Sequence, residues 1–479
     1  MGVQQRQQIC NLATTMHSTA GEVPAPRAGA STTLIGNTVY VFGGYLTNEL
    51  RITNDMYAID LETLVWRRIG GSLMQADTWH NQPYLRPSGS QQPQPQQQPQ
   101  PRYFHSATAY GKYIVIYGGL TMASDKQQSQ PKQQVVQSVL GEIALFDTVT
   151  SQWTLIASPK TTEQLLESVG HPPPNRFAHL ATLVSDKLLL VMGGQDSSNE
   201  FLNDFSVYDL ENKEWICSAP VGKQVGMYRS TLIASSHAQR SYSSLAMRNS
   251  DSSATDEKDD NGNGKGDADV NVNVDVNYSA TTCAESWKSC SGPDVLMYTT
   301  NNFSNVRRSL YLLASDDNWN ITDLSSTMTA SSGPMPPGLR FPVAYVLGDS
   351  MIMAGSYFSS SVQGYVIWAL DLRTNQWRFV DCFPATMATS GSATASVSES
   401  WNRAVLCPSS ACLYVFGDPR NDIMEDYNIR QLNFSHVSRI ALDAHGLVPP
   451  PAKITLETDT ASLAAAVFEE QQFTDFTIV

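Results

Sequence analysis

The sequence predicts an all-β fold assembled from repeated small sheets, and three observations carry that prediction. An apolar run ending in two glycines occurs as VYVFGG at Val39 to Gly44, VIYGG at Val115 to Gly119 and LVMGG at Leu190 to Gly194. Each run is preceded by a proline and an arginine, at Pro26-Arg27, Pro101-Arg102 and Pro174 to Arg176. Each is followed by a second strand-like run and a tryptophan: Tyr57 to Leu61 with Trp66, Ile143 to Asp147 with Trp153, and Phe205 to Leu210 with Trp215. Ordered self-similarity of this kind marks a chain that stacks small supersecondary units. The first glycines fall 75 residues apart both times, an equality that is partly accidental because glutamine-rich inserts pad the spacing at different points.

Each part of the unit has a physical role. The run before the glycines is too short and too β-branched for a helix, so it reads as a buried strand. The pairs Gly43-Gly44, Gly118-Gly119 and Gly193-Gly194 permit a tight turn or a close backbone approach that a Cβ would block. Trp66, Trp153 and Trp215 offer large apolar plates for the gap between neighbouring sheets, where their rings should be mostly buried. These roles are structural.

On these motifs the chain resembles the kelch family of β-propellers, in which one repeat supplies one four-stranded blade. Three further copies decay from the pattern. A fifth runs from Arg340-Phe341 through Met351 to Gly355 and on to Tyr365 to Leu372 and Trp377; a sixth has Arg403 and LYVFGD at Leu413 to Asp418, where Gly417 stands without a second glycine. The fourth lies between Tyr228 and Trp319, lacks the glycine pair, and takes strands from Tyr228, Asp294 and Arg308. Six four-stranded blades is the favoured count, with five and seven open, because residues 9–16 and 432–442 hold strand material that closes the ring or forms a partial blade. The expected organisation is an N-terminal segment over 1–22 with a closing strand, a propeller over 23–445, a linker over 446–461 and a distinct segment over 462–479. Low-complexity stretches at 88–100, 124–137, 241–290 and 384–399 read as mobile loops, since none has enough apolar side chain to offset the entropy of ordering.

Composition narrows the function classes. A formal charge of −14 argues against a general nucleic-acid binder. No apolar run of about 18 residues occurs, and the start MGVQQRQQIC has no signal-peptide core, so the expected location is the cytoplasm with no membrane span. Seven scattered cysteines suggest reduced thiols.

No catalytic constellation stands out: GxSxG, HExxH, P-loop and dinucleotide fingerprints are all missing. Asp259, Asn261, Asn263 and Gly264 imitate half of an EF-hand loop, but Val270 stands where a bidentate Glu is required. His105 and His179 share one repeat position, where other copies carry Ala30, Val343 and Leu406, so a full ring of metal ligands is missing. Packing or a hydrogen bond to a neighbouring blade is the favoured role for both. No catalytic residue, metal site or cofactor is therefore expected; the runner-up class is a copper-dependent or other enzyme on a kelch-like propeller, the copper radical oxidases sharing such repeats.

A binding module is the favoured class. Candidate contacts with a protein client are Tyr45, Arg51, Trp79, His80, Tyr84, Tyr357 and Phe358 in loops beyond the repeat strands. The repeated arginines Arg27, Arg102, Arg176, Arg340 and Arg403 have two open readings: guanidinium groups offered to an acidic peptide, or structural hydrogen bonds to blade backbone. Arg102, Arg176 and Arg340 are carried as binding candidates.

The ending FTDFTIV, after a short helical run from Ser462, resembles the opening of a BTB domain. The alternative, an ordinary terminal strand, stays open. A kelch-then-BTB order resembles the leucine-zipper-like regulators and fungal kelch proteins connected with Ras control. That resemblance implies an adaptor whose propeller recognises a client, such as a small GTPase or its regulator, and whose BTB part supplies homodimer or cullin ubiquitin-ligase contacts.

Overall fold

The computed structural model describes residues 13–69, 98–124, 135–156, 172–221, 230–235, 294–299, 308–314, 320–326, 335–358, 363–382 and 399–448. Within them the fold is almost all β. Three antiparallel meanders follow the three clear sequence copies. The first sheet runs Ser31–Ile35, Thr38–Phe42, Met56–Asp60, Val65–Ile69; the second Ser106–Tyr110, Tyr113–Tyr117, Ile143–Asp147, Gln152–Ile156; the third Leu180–Leu183, Leu188–Met192, Asp204–Asp209, Glu214–Pro220. The decayed copies give the same order: the fourth sheet is Ser230–Ser235, Asp294–Thr299, Ser309–Ala314, Asn320–Asp323 and the fifth is Arg340–Leu347, Ser350–Phe358, Gln363–Asp371, Gln376–Val380.

The sixth sheet is made from both parts of the chain. Its inner strands are Glu399–Cys407, Cys412–Asp422 and His436–Ala441, and its outermost strand is Thr14–Ser18, paired antiparallel to His436–Ala441. Just beyond, Ala20–Gly21 pairs parallel with Val65–Trp66 of the first sheet. One short N-terminal stretch thus engages the outer edges of the first and sixth sheets.

The aspartate that recurs at the end of the third strands shapes the turn that follows it. Oδ1 of Asp60, Asp147, Asp209 and Asp371 accepts from the backbone N–H groups two and three residues on, at 2.8 to 3.1 Å. An Asp side chain that caps a turn in this way replaces backbone partners the strand has lost. The chain then reverses through a left-handed residue, Leu64, Ser151, Lys213 or Asn375, all at positive φ.

Side chains from facing sheets interlock in a series of buried clusters. Phe42 and Met56 of the first sheet pack with Ile116 and Phe146 of the second; Tyr117 of the second meets Tyr208 and Trp215 of the third; Met192 and Val207 of the third meet Met297 and Leu313 of the fourth. Tyr298 and Leu312 continue to Met353 and Trp377, and Ile352 and Ile367 of the fifth to Val415 and Ile440 of the sixth. Val405 and Phe416 of the sixth then pack with Val41 and Trp66 of the first. The tryptophans follow one rule, each reaching back to the preceding sheet: Trp66 to Phe416 and Phe434, Trp153 to Phe42, Trp215 to Tyr117 and Trp377 to Tyr298. Trp66, Trp215 and Trp377 are buried as expected, whereas Trp153 stays partly exposed.

Three insert expectations need correcting at their edges. Both ends of the expected 124–137 loop belong to a ribbon, Leu120–Ser124 paired with Val135–Val139, because β-branched valines extend the strand beyond the glutamine run. Glu399, expected to end a loop, starts the first strand of the sixth sheet, and the backbone carbonyl of Pro99 accepts from Asn54 Nδ2 at 2.9 Å. Residues 241–290 and the candidate BTB segment 462–479, with its expected dimer and cullin contacts, lie outside the described residues.

Candidate protein-docking site

Arginine and glycine together make a frame that repeats around the first three sheets. Arg27, Arg102 and Arg176 are each 0% exposed. Their Nη1 groups donate to the carbonyls of Gly43, Gly118 and Gly193 at 3.2, 3.1 and 3.0 Å, and their Nε groups to the carbonyls of Ala25, Gln100 and Pro174. The second glycine links to the next repeat: Gly44 N–H donates to Arg102 O and Gly119 N–H to Arg176 O, at 2.8 and 2.9 Å. All six glycines have positive φ, and a Cβ on Gly118 would sit 2.5 Å from the Arg176 carbonyl. That is why glycine recurs here: the next sheet's backbone occupies the space.

Electrostatics separates the three arginines. Burial pushes the pKa values of Arg27 and Arg102 below the usual guanidinium value, with Glu142 acting the other way on Arg102. At Arg176 burial is outweighed by Asp204, which takes Nη1 and Nη2 in a fork at 2.7 and 2.8 Å, so its value is raised. Arg102 and Arg176 were binding candidates by sequence; the structure withdraws both from solvent and uses their donors on the frame.

The two histidines are structural neighbours of this frame. His105 Nε2 lies 2.9 Å from Ser31 Oγ of the first sheet, and His179 Nε2 lies 2.8 Å from Ser106 Oγ of the second. Burial, with Arg102 beside it, pushes His105 well below the usual imidazole value; burial with Arg176 pushes His179 down to about 3. Among the described residues no three His, Cys, Asp or Glu side chains gather as a metal site, and no helix is long and apolar enough to cross a membrane.

The frame and the loops between second and third strands share one end of the sheets, because each first strand starts beside the end of the second. Tyr45 opens a ribbon with Arg51–Ile52, and its ring lies 5.9 Å from Tyr103. Arg51 is exposed and pairs with Glu49 at 2.6 Å. Tyr357 and Phe358 extend the second strand of the fifth sheet, with Tyr357 partly buried against the core. Trp79, His80 and Tyr84 lie outside the described residues.

Sequence reasoning missed an element at this end, helix α1 (Ile423–Asn428), in the sixth sheet's loop. Asp422 caps it, accepting from Met424 and Glu425 N–H groups, and Asp426 is buried beneath it, accepting from Asn433 and Gln431. Tyr427 of α1 then collects residues from the fifth sheet. Arg340 donates to its hydroxyl and stacks 4.7 Å from its ring, while Phe341 and Phe358 lie 5.8 and 4.8 Å away. Just past the helix, Arg430 stands 5.6 Å over Phe104, whose ring lies tilted 4.9 Å from that of Tyr103. The available signal was Asp422 followed by Glu425 and Asp426, a capping residue with acids in the first turn.

Comparison with known proteins agrees with the repeat architecture. Residues 17–244 match the KLHDC2/KLHL20/DRC7 Kelch-repeats domain. The chain carries a kelch-repeat β-propeller domain. It is similar to Protein ral2 of Schizosaccharomyces pombe, 25% identical over 469 residues, covering 91% of this chain and 65% of that protein. Tip elongation aberrant protein 1 of the same yeast is 29% identical over 210 residues, 42% of this chain and 14% of that protein. Rho GTPase-activating protein gacHH of Dictyostelium discoideum is 29% identical over 153 residues, 32% of this chain and 8% of that protein. The chain therefore spans 65% or less of these three curated relatives. The kelch match ends at residue 244, so the decayed fourth to sixth repeats are seen as kelch-like through their sheets.

Proposed function

We propose that the six sheets are six blades closed into a ring by Thr14–Ser18, and that the end carrying the second-to-third-strand loops docks a protein partner in small-GTPase control. The buried clusters link first to second sheet and onward to the sixth and back to the first, which supports the closed count. The GTPase part rests on the resemblance to kelch proteins connected with Ras control and on the similarity to the Rho GTPase-activating protein gacHH of Dictyostelium. It has the protein acting as a cytoplasmic adaptor.

One observation carries the docking face. Of nine large hydrophobic side chains exposed among the described residues, five lie at this end: Leu50, Met122, Phe201, Phe341 and Ile429. They come from four different sheets' loops and one sheet entry, so no single insertion explains them. Their placement at one end, on loops presented by a rigid set of sheets, supports a partner-binding face there.

The test uses the purified chain with a panel of purified small GTPases and their activating and exchange proteins, in GDP- and GTP-loaded states, read by biolayer interferometry. Leu50→Asp with Phe201→Asp is expected to weaken binding about tenfold or more, the equivalent of ~1.4 kcal/mol. Val149→Asp, at the opposite end, is expected to leave it unchanged. Equal loss in both variants would reject the face, and no binding anywhere in the panel would reject the GTPase reading.

A further inference from the structure

We infer that Cys407 and Cys412 form a redox-active thiol pair, which a hydroperoxide converts into a cross-strand disulfide at the seam between the sixth and first sheets. The inference goes beyond partner docking, since it assigns an oxidation site at the opposite end of the sheets from the docking face. Both residues carry free thiols, and they stand directly opposite one another where Glu399–Cys407 pairs with Cys412–Asp422. They close the turn 408–411 between the first and second strands, whereas the docking face is built from the loops after the second strands.

Register and packing put both sulfurs on one face. Cys407 and Cys412 pack with Val39, Ile59 and Trp66 of the first sheet, while their chain neighbours Leu406 and Leu413 pack with Ile352 and Ile367 of the fifth. Alternation along each strand therefore sends the two thiols the same way. Opposed residues of an antiparallel pair have Cα atoms about 4.5 or 5.5 Å apart, and a disulfide accepts about 4.4 to 6.8 Å. Their Cβ atoms stand about 4.5 to 5.5 Å apart, against about 3.5 to 4.5 Å in a disulfide, so closure asks for a movement of about an ångström. The turn holds this register: Ala411 N–H donates to Pro408 O at 3.2 Å, and Ala411 O accepts from Leu442 N–H at 3.0 Å.

The same turn activates one of the sulfurs. Cys407 Sγ lies 3.8 Å from Asn37 Oδ1 of the first sheet and 3.2 Å from Ser409 Oγ. An amide oxygen only accepts, so the thiol proton is directed to Asn37 and the Ser409 hydroxyl donates to sulfur. Burial pushes the Cys407 thiol up, but hydroxyl and backbone N–H donors of Ser409 and Ser410 outweigh it and hold the thiol below its usual value. Cys412 Sγ donates instead to Ser410 O at 3.1 Å. Cys407 is thus the attacking sulfur and Cys412 the resolving one. The pair is covered, at 0% and 1% exposure, but its cover is the turn itself, whose Pro408, Ser409 and Ser410 are exposed. Local opening of the turn admits a small oxidant.

The Cys407 thiolate attacks the O–O bond of the hydroperoxide, which breaks; the distal oxygen stays on sulfur as a sulfenic acid and the other leaves, protonated, as alcohol or water. Cys412 then attacks Cys407 Sγ, the S–S bond forms, the S–O bond breaks, and hydroxide leaves as water with the Cys412 proton. The two thiols lose two electrons and the hydroperoxide gains them.

The experiment treats the reduced 479-residue chain with hydrogen peroxide, blocks remaining thiols with N-ethylmaleimide under denaturation, and maps the tryptic peptide 404–420, which holds both cysteines. That peptide is expected to lose two hydrogens, to resist alkylation and to regain both thiols with dithiothreitol, before Cys217 or Cys382 reacts. Cys412→Ser is expected to leave a Cys407 that dimedone labels, and Cys407→Ser to slow oxidation at Cys412 about tenfold or more. Ser409→Ala with Ser410→Ala is expected to slow disulfide formation about threefold or more. Urea midpoints check that the variants fold, and the parent chain's peptide map decides the question if they do not. Two alkylated thiols in 404–420 after Cys217 has reacted, a disulfide from either residue to another cysteine, or a sulfinic acid in place of the disulfide would each overturn the pair. Unchanged kinetics in the serine variant would overturn the activating role of the turn.

Discussion

Arg176→Ala tests whether the repeated arginine is part of the frame. The side chain is fully buried, it gives Asp204 a two-point ion pair, and it donates to the carbonyls of Gly193 and Pro174. Removing it strands Asp204, whose side chain is only 20% exposed, and leaves two carbonyls without these donors. Breaking one side of such a pair costs about 3 to 5 kcal/mol, since the remaining charge keeps its desolvation cost and loses its partner. Arg51→Ala serves as the control, because the Arg51–Glu49 pair is exposed and worth about 0 to 1 kcal/mol. Both variants are followed by urea unfolding with tryptophan fluorescence, a fitting probe because Trp215 packs against Tyr117 in the same inter-sheet cluster. A companion variant, Arg176→Met with Asp204→Leu, should recover much of the loss, as apolar replacement of both partners of a buried pair is often near neutral. If Arg176→Ala falls within about 0.5 kcal/mol of Arg51→Ala, the scatter expected of ordinary surface changes, the frame role is wrong.

Three further outcomes follow from the same geometry. Gly118→Ala forces a side chain into a backbone of φ +64 and against the Arg176 carbonyl at 2.5 Å, so a loss of at least ~2 kcal/mol is expected in urea unfolding; a neutral result would mean the turn relaxes freely. The buried histidines make stability depend on pH. His179 titrates near 3 and His105 well below 6.5 in the fold, while unfolded imidazoles take protons near 6.5. Their contribution is complete above that value and is lost as pH falls through 6.5 toward 3. His105→Gln with His179→Gln should flatten the urea midpoint between about pH 7 and 4.5, whereas a slope identical to the parent's would show that other groups set it. Deletion of residues 1–19 removes the strand paired with His436–Ala441 and the Thr19 hydrogen bonds to Phe434 and Ser435; a lower urea midpoint and faster proteolysis near the sixth sheet are expected, and an unchanged midpoint would argue against that strand as the ring's closure.

Much of this architecture is legible in the linear chain because kelch geometry reuses the same local solutions. Glycine pairs at 43, 118 and 193 mark places where left-handed backbone meets the neighbouring repeat, and the recurring Asp60, Asp147, Asp209 and Asp371 mark a turn that needs a side-chain acceptor. Such signals survive in sequence because glycine and aspartate do there what few other residues can. The fourth sheet was traceable from apolar strands alone, at Asp294–Thr299 and Ser309–Ala314, without its glycines.

The direction of a side chain is a different matter. Arg102, Arg176 and Arg340 occupy similar positions in the repeat, yet the first two turn inward to the glycine carbonyls and the third turns to Tyr427. The sequence by itself determined the repeated sheets, the glycine turns and the tryptophan plates, since those depend on local backbone preference and apolar periodicity. Only the tertiary structure decided which arginines are interior, how residues 14–18 join strands more than 400 positions away, and that α1 brings Tyr427 and Arg430 to Arg340 and Phe104. Those outcomes depend on contacts between distant segments, where burial and an available partner, rather than the identity of the residue, set the lowest free energy.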